Sequence, residues 1–109
     1  MPGYWVRVRR LDALEDQAII PVLVEDKHLL LVRDGYHVHA TERSCPHEGA
    51  DLAAGRCVNG QLFCPRHFAW FDLNDGQVGG GWDFRPIRIY RTQIIDGVVH
   101  IDTARPKTG

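Results

Sequence analysis

No long hydrophobic run is present: the longest apolar stretch, Ala18 to Val24, is interrupted by Pro21, whereas a membrane span needs about 20 apolar residues. The start, Met1-Pro2-Gly3-Tyr4-Trp5, lacks the charged and apolar regions of a signal peptide, so a cytoplasmic address is the expectation. Charge of one sign is also missing. Lys and Arg number 13 against 14 Asp and Glu, a formal net charge of −1, and no basic stripe argues for nucleic acid. Cysteine is scarce at 3 residues, and with two of them read below as metal ligands no disulfide framework is left. Helical periodicity, internal repeats, linkers and low-complexity tracts are absent as well.

What remains is an ordinary globular composition, 44% apolar and 25% charged in 109 residues, enough for one domain over residues 1–109 and for no second catalytic unit. Strand periodicity dominates. Val6 and Val8 share one face of Tyr4–Arg9, and Ile87 and Ile89 alternate with Arg88 and Tyr90. Asp34-Gly35, Asn59-Gly60 and Asp96-Gly97 punctuate the chain with dipeptides that tolerate the positive φ angles of tight hairpin turns. Residues 10–17 hold at most one helical turn. The pattern predicts an all-β domain.

A two-residue turn at Asn59-Gly60 pairs Val58 with Gln61, Cys57 with Leu62 and Gly55 with Cys64. That places Cys64 at the open end of a hairpin which the Cys45–Asp51 segment enters from the same end. Each segment carries a thiol beside an imidazole: Cys45-Pro46-His47 and Cys64-Pro65-Arg66-His67, with 16 residues between His47 and Cys64. Four such donors suit one metal centre. The spacing is unusual for zinc modules, whose paired ligands normally stand two to four residues apart. A zinc-stabilised interaction module nevertheless remains the rival reading from these donors.

The ligand segments, with Glu48-Gly49-Ala50 after the first and Phe71 to Val78 after the second, resemble Rieske proteins over about residues 4–102. In that family two Cys hold one iron of a 2Fe-2S cluster and two His hold the other. The resemblance implies a Rieske fold, an antiparallel β-sandwich of small sheets with two cluster-binding loops at one end, and one Rieske-type 2Fe-2S cluster on Cys45, His47, Cys64 and His67. It implies a soluble, monomeric one-electron carrier without a catalytic site of its own. The carrier would take electrons from a NAD(P)H-linked ferredoxin reductase and pass them to a terminal aromatic-ring oxygenase, both of them protein partners. A small Rieske subunit of another redox enzyme, such as nitrite reductase, is the alternative within the fold.

In an oxidised cluster of this type the charges of two ferric ions, two sulfides and two thiolates cancel, so an added electron is less repelled than on an all-cysteine cluster. The electron goes to the histidine-bound iron. Respiratory members of the family add a disulfide bridge and a Ser and Tyr that donate hydrogen bonds to the sulfurs. The matching positions here are Ala50, Arg66, Ala69 and Phe71, which supply neither. A hydrogen bond to a charged group contributes about 1.5 to 3 kcal/mol, and at about 59 mV per tenfold the two missing donors lower the potential by about 130 to 260 mV. The low end of the range suits a ferredoxin.

Other residues carry weaker signals. Gly79-Gly80-Gly81-Trp82-Asp83-Phe84-Arg85-Pro86 occupies the place of a third loop that covers the cluster, or is a flexible turn. Glu48, Arg66 and Trp70 adjoin the ligand histidines and are candidate partner contacts. Cys57 reads as a small strand residue, His37 and His39 as exposed side chains of one strand face, and Arg7, Arg9 and Arg10 as a solvated strand edge. His28 and His100 belong to no constellation.

Overall fold

The computed structural model describes residues 5–46, 49–66 and 69–107. Among them the chain is all-β, with no α-helix and two single turns of 3-10 helix, Leu11–Ala13 and Leu52–Ala54. The first falls where one helical turn was expected. Three antiparallel sheets form. The outer sheet orders β1 (Trp5–Arg10), β11 (Val98–Asp102) and β10 (Thr92–Ile95); the central sheet orders β2 (Ile19–Val24), β3 (Lys27–Asp34), β4 (His37–Glu42) and β9 (Ile89–Tyr90). The third orders β5 (Arg56–Val58), β6 (Gln61–Phe63), β7 (Trp70–Asp72) and β8 (Val78–Gly79).

β3 explains why these sheets stack. Side chains of a strand alternate between faces, and here Leu29 and Leu31 enter one core with Val22, Val99 and Ile101, while Leu30 and Val32 enter another with Leu52, Leu62 and Phe71. A strand covered on both faces reads as an unbroken apolar run, which is what Leu29-Leu30-Leu31-Val32 is. Burying each such side chain stabilises the fold by about 1.5 to 3 kcal/mol. β2 runs through Pro21, which does not break it because the proline is exposed on an edge strand, where no ladder hydrogen bond is lost.

Turn chemistry sets most of the registers. Asn59 and Gly60 have φ of 50° and 76°, and Asp96 and Gly97 have 50° and 74°, the paired left-handed conformation of a type I′ hairpin. The expected Asp34-Gly35 turn lies one residue later. Asp34 still pairs with His37, so Gly35 and Tyr36 form the turn, with the positive φ on Gly35 alone. A further hairpin, turning at Glu25-Asp26 with φ of 49° and 67°, joins β2 to β3; Asp26 tolerates the left-handed region, but the dipeptide lacks the glycine that marks the other hairpins.

Candidate metal centre

The β5–β6 ladder runs Val58↔Gln61, Cys57↔Leu62 and Arg56↔Phe63, the expected register, and ends one step short of the expected Gly55–Cys64 pair. Cys64 begins the loop that returns as β7. Its N–H donates to the Ala69 carbonyl at 2.8 Å. The other candidate thiol repeats this arrangement: the Cys45 N–H donates to the Ala50 carbonyl at 2.8 Å, and the Gly49 N–H donates back to the Cys45 carbonyl at 2.8 Å. Each cysteine thus opens a loop closed by a hydrogen bond to the fifth residue on, an alanine in both cases. Cys45 and Cys64 are 2% and 3% exposed and lie in one core with Ala50, Ala69, Leu62 and Phe71.

The first loop is tied at its base. Ser44 bridges Asp51, and the Arg43 guanidinium donates Nε to Oδ1 and Nη2 to Oδ2 of Asp51, both at 2.9 Å. Asp51 Oδ1 also accepts the Ala53 N–H at 3.0 Å. These bonds, Arg43 first and Ala53 second, hold the Asp51 carboxyl below its ordinary pKa. No spacing in the sequence marked this pair, although Arg43 and Asp51 bracket the loop.

The Gly79–Pro86 segment covers this end of the sheet. Gly80 and Gly81 take φ of 80° and 84°, and Trp82 and Phe84 pack against the core that holds both cysteines. The Phe84 ring lies 5.8 Å from that of Phe71 and 6.2 Å from that of Trp82. Arg85 anchors the segment by donating Nη1 and Nη2 to the two oxygens of Glu42 at 2.6 and 2.9 Å, and the Arg88 N–H adds a third bond to Glu42 at 2.8 Å. Glu42 raises the Arg85 pKa, and the neighbouring Cys45 adds a smaller effect in the same direction. The covering reading of this loop is therefore the one the geometry favours.

Among the remaining candidates, Trp70 packs against Gly79, where an added Cβ would come within 2.2 Å of the indole. Arg66 is exposed. Cys57 is buried, and burial pushes its thiol up to about 11, which removes the reactive thiolate a redox sensor needs. The His37 and His39 rings lie 6.3 Å apart, tilted by 33°; His37 is exposed as expected, whereas His39 is half-buried, and that burial lowers its pKa. His47, Glu48 and His67 lie outside the described residues. Among the described residues alone, no group of three metal-ligating side chains assembles.

The donor chemistry fits a mixed-ligand iron–sulfur centre. Two buried cysteines, neither in a disulfide, sit at equivalent points of two alike loops, and each loop continues within three residues to a histidine. Among proteins of known identity, apoptosis-inducing factor 3 of Mus musculus and Homo sapiens is 40% identical over 50 residues, 46% of this chain. The chain spans about 8% of the length of those relatives. The anthranilate 1,2-dioxygenase ferredoxin subunit of Burkholderia cepacia is 24% identical over 98 residues, covering 90% of this chain and 91% of that one. The ferredoxin of carbazole 1,9a-dioxygenase from Nocardioides aromaticivorans IC177 superposes with a TM-score of 0.85 at 27% identity, covering 96% of this chain and 100% of that one. The Rieske 2Fe-2S domain model matches residues 4–91, more than half of the chain, which therefore belongs to the Rieske 2Fe-2S domain family and carries one Rieske-type 2Fe-2S cluster.

Proposed function

We propose that the protein is a soluble, monomeric, single-domain electron carrier over residues 1–109, passing one electron at a time from a NAD(P)H-linked ferredoxin reductase to a terminal aromatic-ring oxygenase in the cytoplasm. Cys45 and Cys64 would hold one iron of its cluster and His47 and His67 the other. The observation that carries this reading is the pair of buried cysteines at matching positions of two hydrogen-bonded loops. The full-length match to an oxygenase ferredoxin supports it further. When bound, the cluster accepts and returns one electron.

The chain's own residues would do the rest. The two loop-closing hydrogen bonds fix where the thiolates point, so that little rearranges as charge arrives. Leu62, Phe71, Trp82 and Phe84 pack around the cysteines and would exclude water there, and the histidine-bound iron, which takes the electron, would be its way in and out. Ala69 and Phe71 give the sulfurs no side-chain donor, which keeps the potential low.

The test is reconstitution. With NADH, a ferredoxin reductase and a ring-hydroxylating oxygenase, product should form only when the loaded protein is added, and the reductase and oxygenase should compete for it. Turnover that is independent of the protein, or a ternary complex that still passes electrons, would contradict the carrier reading. Stable copurification with a nitrite reductase catalytic subunit would favour the alternative instead.

A further inference from the structure

Glu42 ends β4 and stands three residues before Cys45. Both its backbone and its carboxylate are engaged by the segment that covers the cysteines. The Glu42 N–H donates to the Arg88 carbonyl at 3.0 Å, and the Arg88 N–H donates back to Glu42 Oε1 at 2.8 Å. Arg85 closes on the same carboxylate with Nη1 and Nη2, at 2.6 and 2.9 Å, while Arg88 Nη1 lies 3.8 Å from Oε2. The Glu42 side chain is only 13% exposed. Its charge therefore answers these two arginines rather than bulk water, whereas the next residue, Arg43, pairs with Asp51.

Arg85 is close enough to Cys45 for the two to interact electrostatically, and its neighbour Phe84 packs against the core that contains Cys45, Cys64 and Phe71. The fork to Glu42 thus fixes a positive charge on the cysteine side. Ala69 and Phe71 have no group to donate to the sulfurs, but a fixed charge acts on the cluster without touching it. An added electron makes the cluster more negative, so a nearby cation favours the reduced state and a nearby carboxylate opposes it.

We propose that Glu42 and Arg85 are a charge pair that sets the reduction potential: Glu42 positions the Arg85 guanidinium beside the cysteines, where it raises the potential, and the Glu42 carboxylate holds that rise in check. The inference rests on the electron-carrier reading and adds the residues that tune its cluster. A unit charge about 12 Å away, at an effective dielectric of about 20, changes a one-electron equilibrium by about tenfold. Arg85 is 44% exposed and partly screened, so each member of the pair should count for about three- to tenfold, or about 30 to 60 mV. These are differences between variants, and the sum of the other charges on the protein does not enter them.

Spectroelectrochemistry of the loaded protein gives the potentials, and a paramagnetic resonance spectrum of the same samples, reduced, reports the cluster separately. E42Q, nearly isosteric, should shift the equilibrium toward the reduced state by about three- to tenfold. R85Q should shift it the other way by a similar factor, and E42Q/R85Q should fall between the two. R85K keeps the charge without the fork and should stay nearer to wild type than R85Q does. D12N breaks the exposed Arg10–Asp12 pair beside β1 and should leave the potential unchanged. A pair that only held the covering segment in place would give E42Q and R85Q shifts of the same sign, because either substitution breaks the same bonds. If E42Q does not keep its cluster, R85Q against R85K still reads the sign. Shifts of like sign, no shift in either single variant, or loss of the cluster from R85Q overturns the proposal, and a rhombic spectrum in the wild type then leaves the carrier reading standing. A wild type without that spectrum overturns both.

Discussion

Replacing Gly55 with Ala is the sharpest mechanical test of how the second ligand loop is held. Gly55 has φ −82° and ψ −158°, a backbone any residue adopts, so the substitution carries no conformational strain. The cost is steric. An added Cβ would lie 1.9 Å from the Phe63 carbonyl oxygen and 3.2 Å from that of Leu52. Restoring ordinary contact, which begins at 3.4 Å, requires β5 and β6 to part by about 1.5 Å, and overpacking of this kind costs about 1 to 3 kcal/mol. Phe63 immediately precedes Cys64, so the displacement is passed directly to a cluster ligand. Urea unfolding followed by far-ultraviolet circular dichroism should show a stability loss of about 5- to 150-fold in the folding equilibrium, with a weaker and altered visible circular dichroism from the cluster. Gly97→Ala is the control: its Cβ meets nothing within 4 Å but its φ is +74°, so it should lose stability through strain and keep the visible spectrum. A G55A protein within about 0.5 kcal/mol of wild type and with an unchanged spectrum would refute this account of the loop.

Three further outcomes follow from the same geometry. Introducing Ser at Ala69 and Tyr at Phe71, both fully buried, should raise the reduction potential measured by spectroelectrochemistry, by up to about 130 to 260 mV if both donors reach sulfur; no rise with an intact cluster would show that these positions do not tune it. Cys57, its thiol pushed up to about 11, should resist iodoacetamide at pH 8 in the folded protein and react once urea unfolds it, and rapid labelling of the native state would contradict its burial. His39 has a depressed pKa because of burial, so the unfolded chain binds its proton more readily; the neutral ring's contribution is present above the ordinary value of 6.5 and should be lost as pH falls below it, a slope that His39→Gln should reduce in urea titrations between neutral pH and pH 5.

The β5–β6 hairpin and the positions of both cysteines were legible because Asn59-Gly60 has one favoured turn geometry, and that geometry fixes every pairing back to the ligand loop. The layering was partly legible: Leu29 to Val32 announces a strand buried on both faces, yet which core takes which residue depends on partners distant in sequence. Two kinds of feature escaped. The Glu25-Asp26 turn lacks the glycine of the other hairpins, so although Asp26 tolerates a positive φ the dipeptide does not stand out. The Arg43–Asp51 and Glu42–Arg85 pairs join residues 8 and 43 positions apart, and exposed charges have many possible partners until the backbone brings two together. Cys57 was read correctly as a strand residue, and only the packing around it explains its inertness.

The central claim is mixed ligation of one 2Fe-2S cluster by Cys45, Cys64, His47 and His67, and the most direct measurement is paramagnetic resonance of the dithionite-reduced protein together with iron and acid-labile sulfide analysis. The account predicts a red-brown protein with two irons and two sulfides per chain, a rhombic signal of lowered average g, and loss or alteration of that signal when either histidine is changed to alanine. A colourless protein holding one zinc, or a cluster whose signal survives unchanged in both histidine variants, would contradict it.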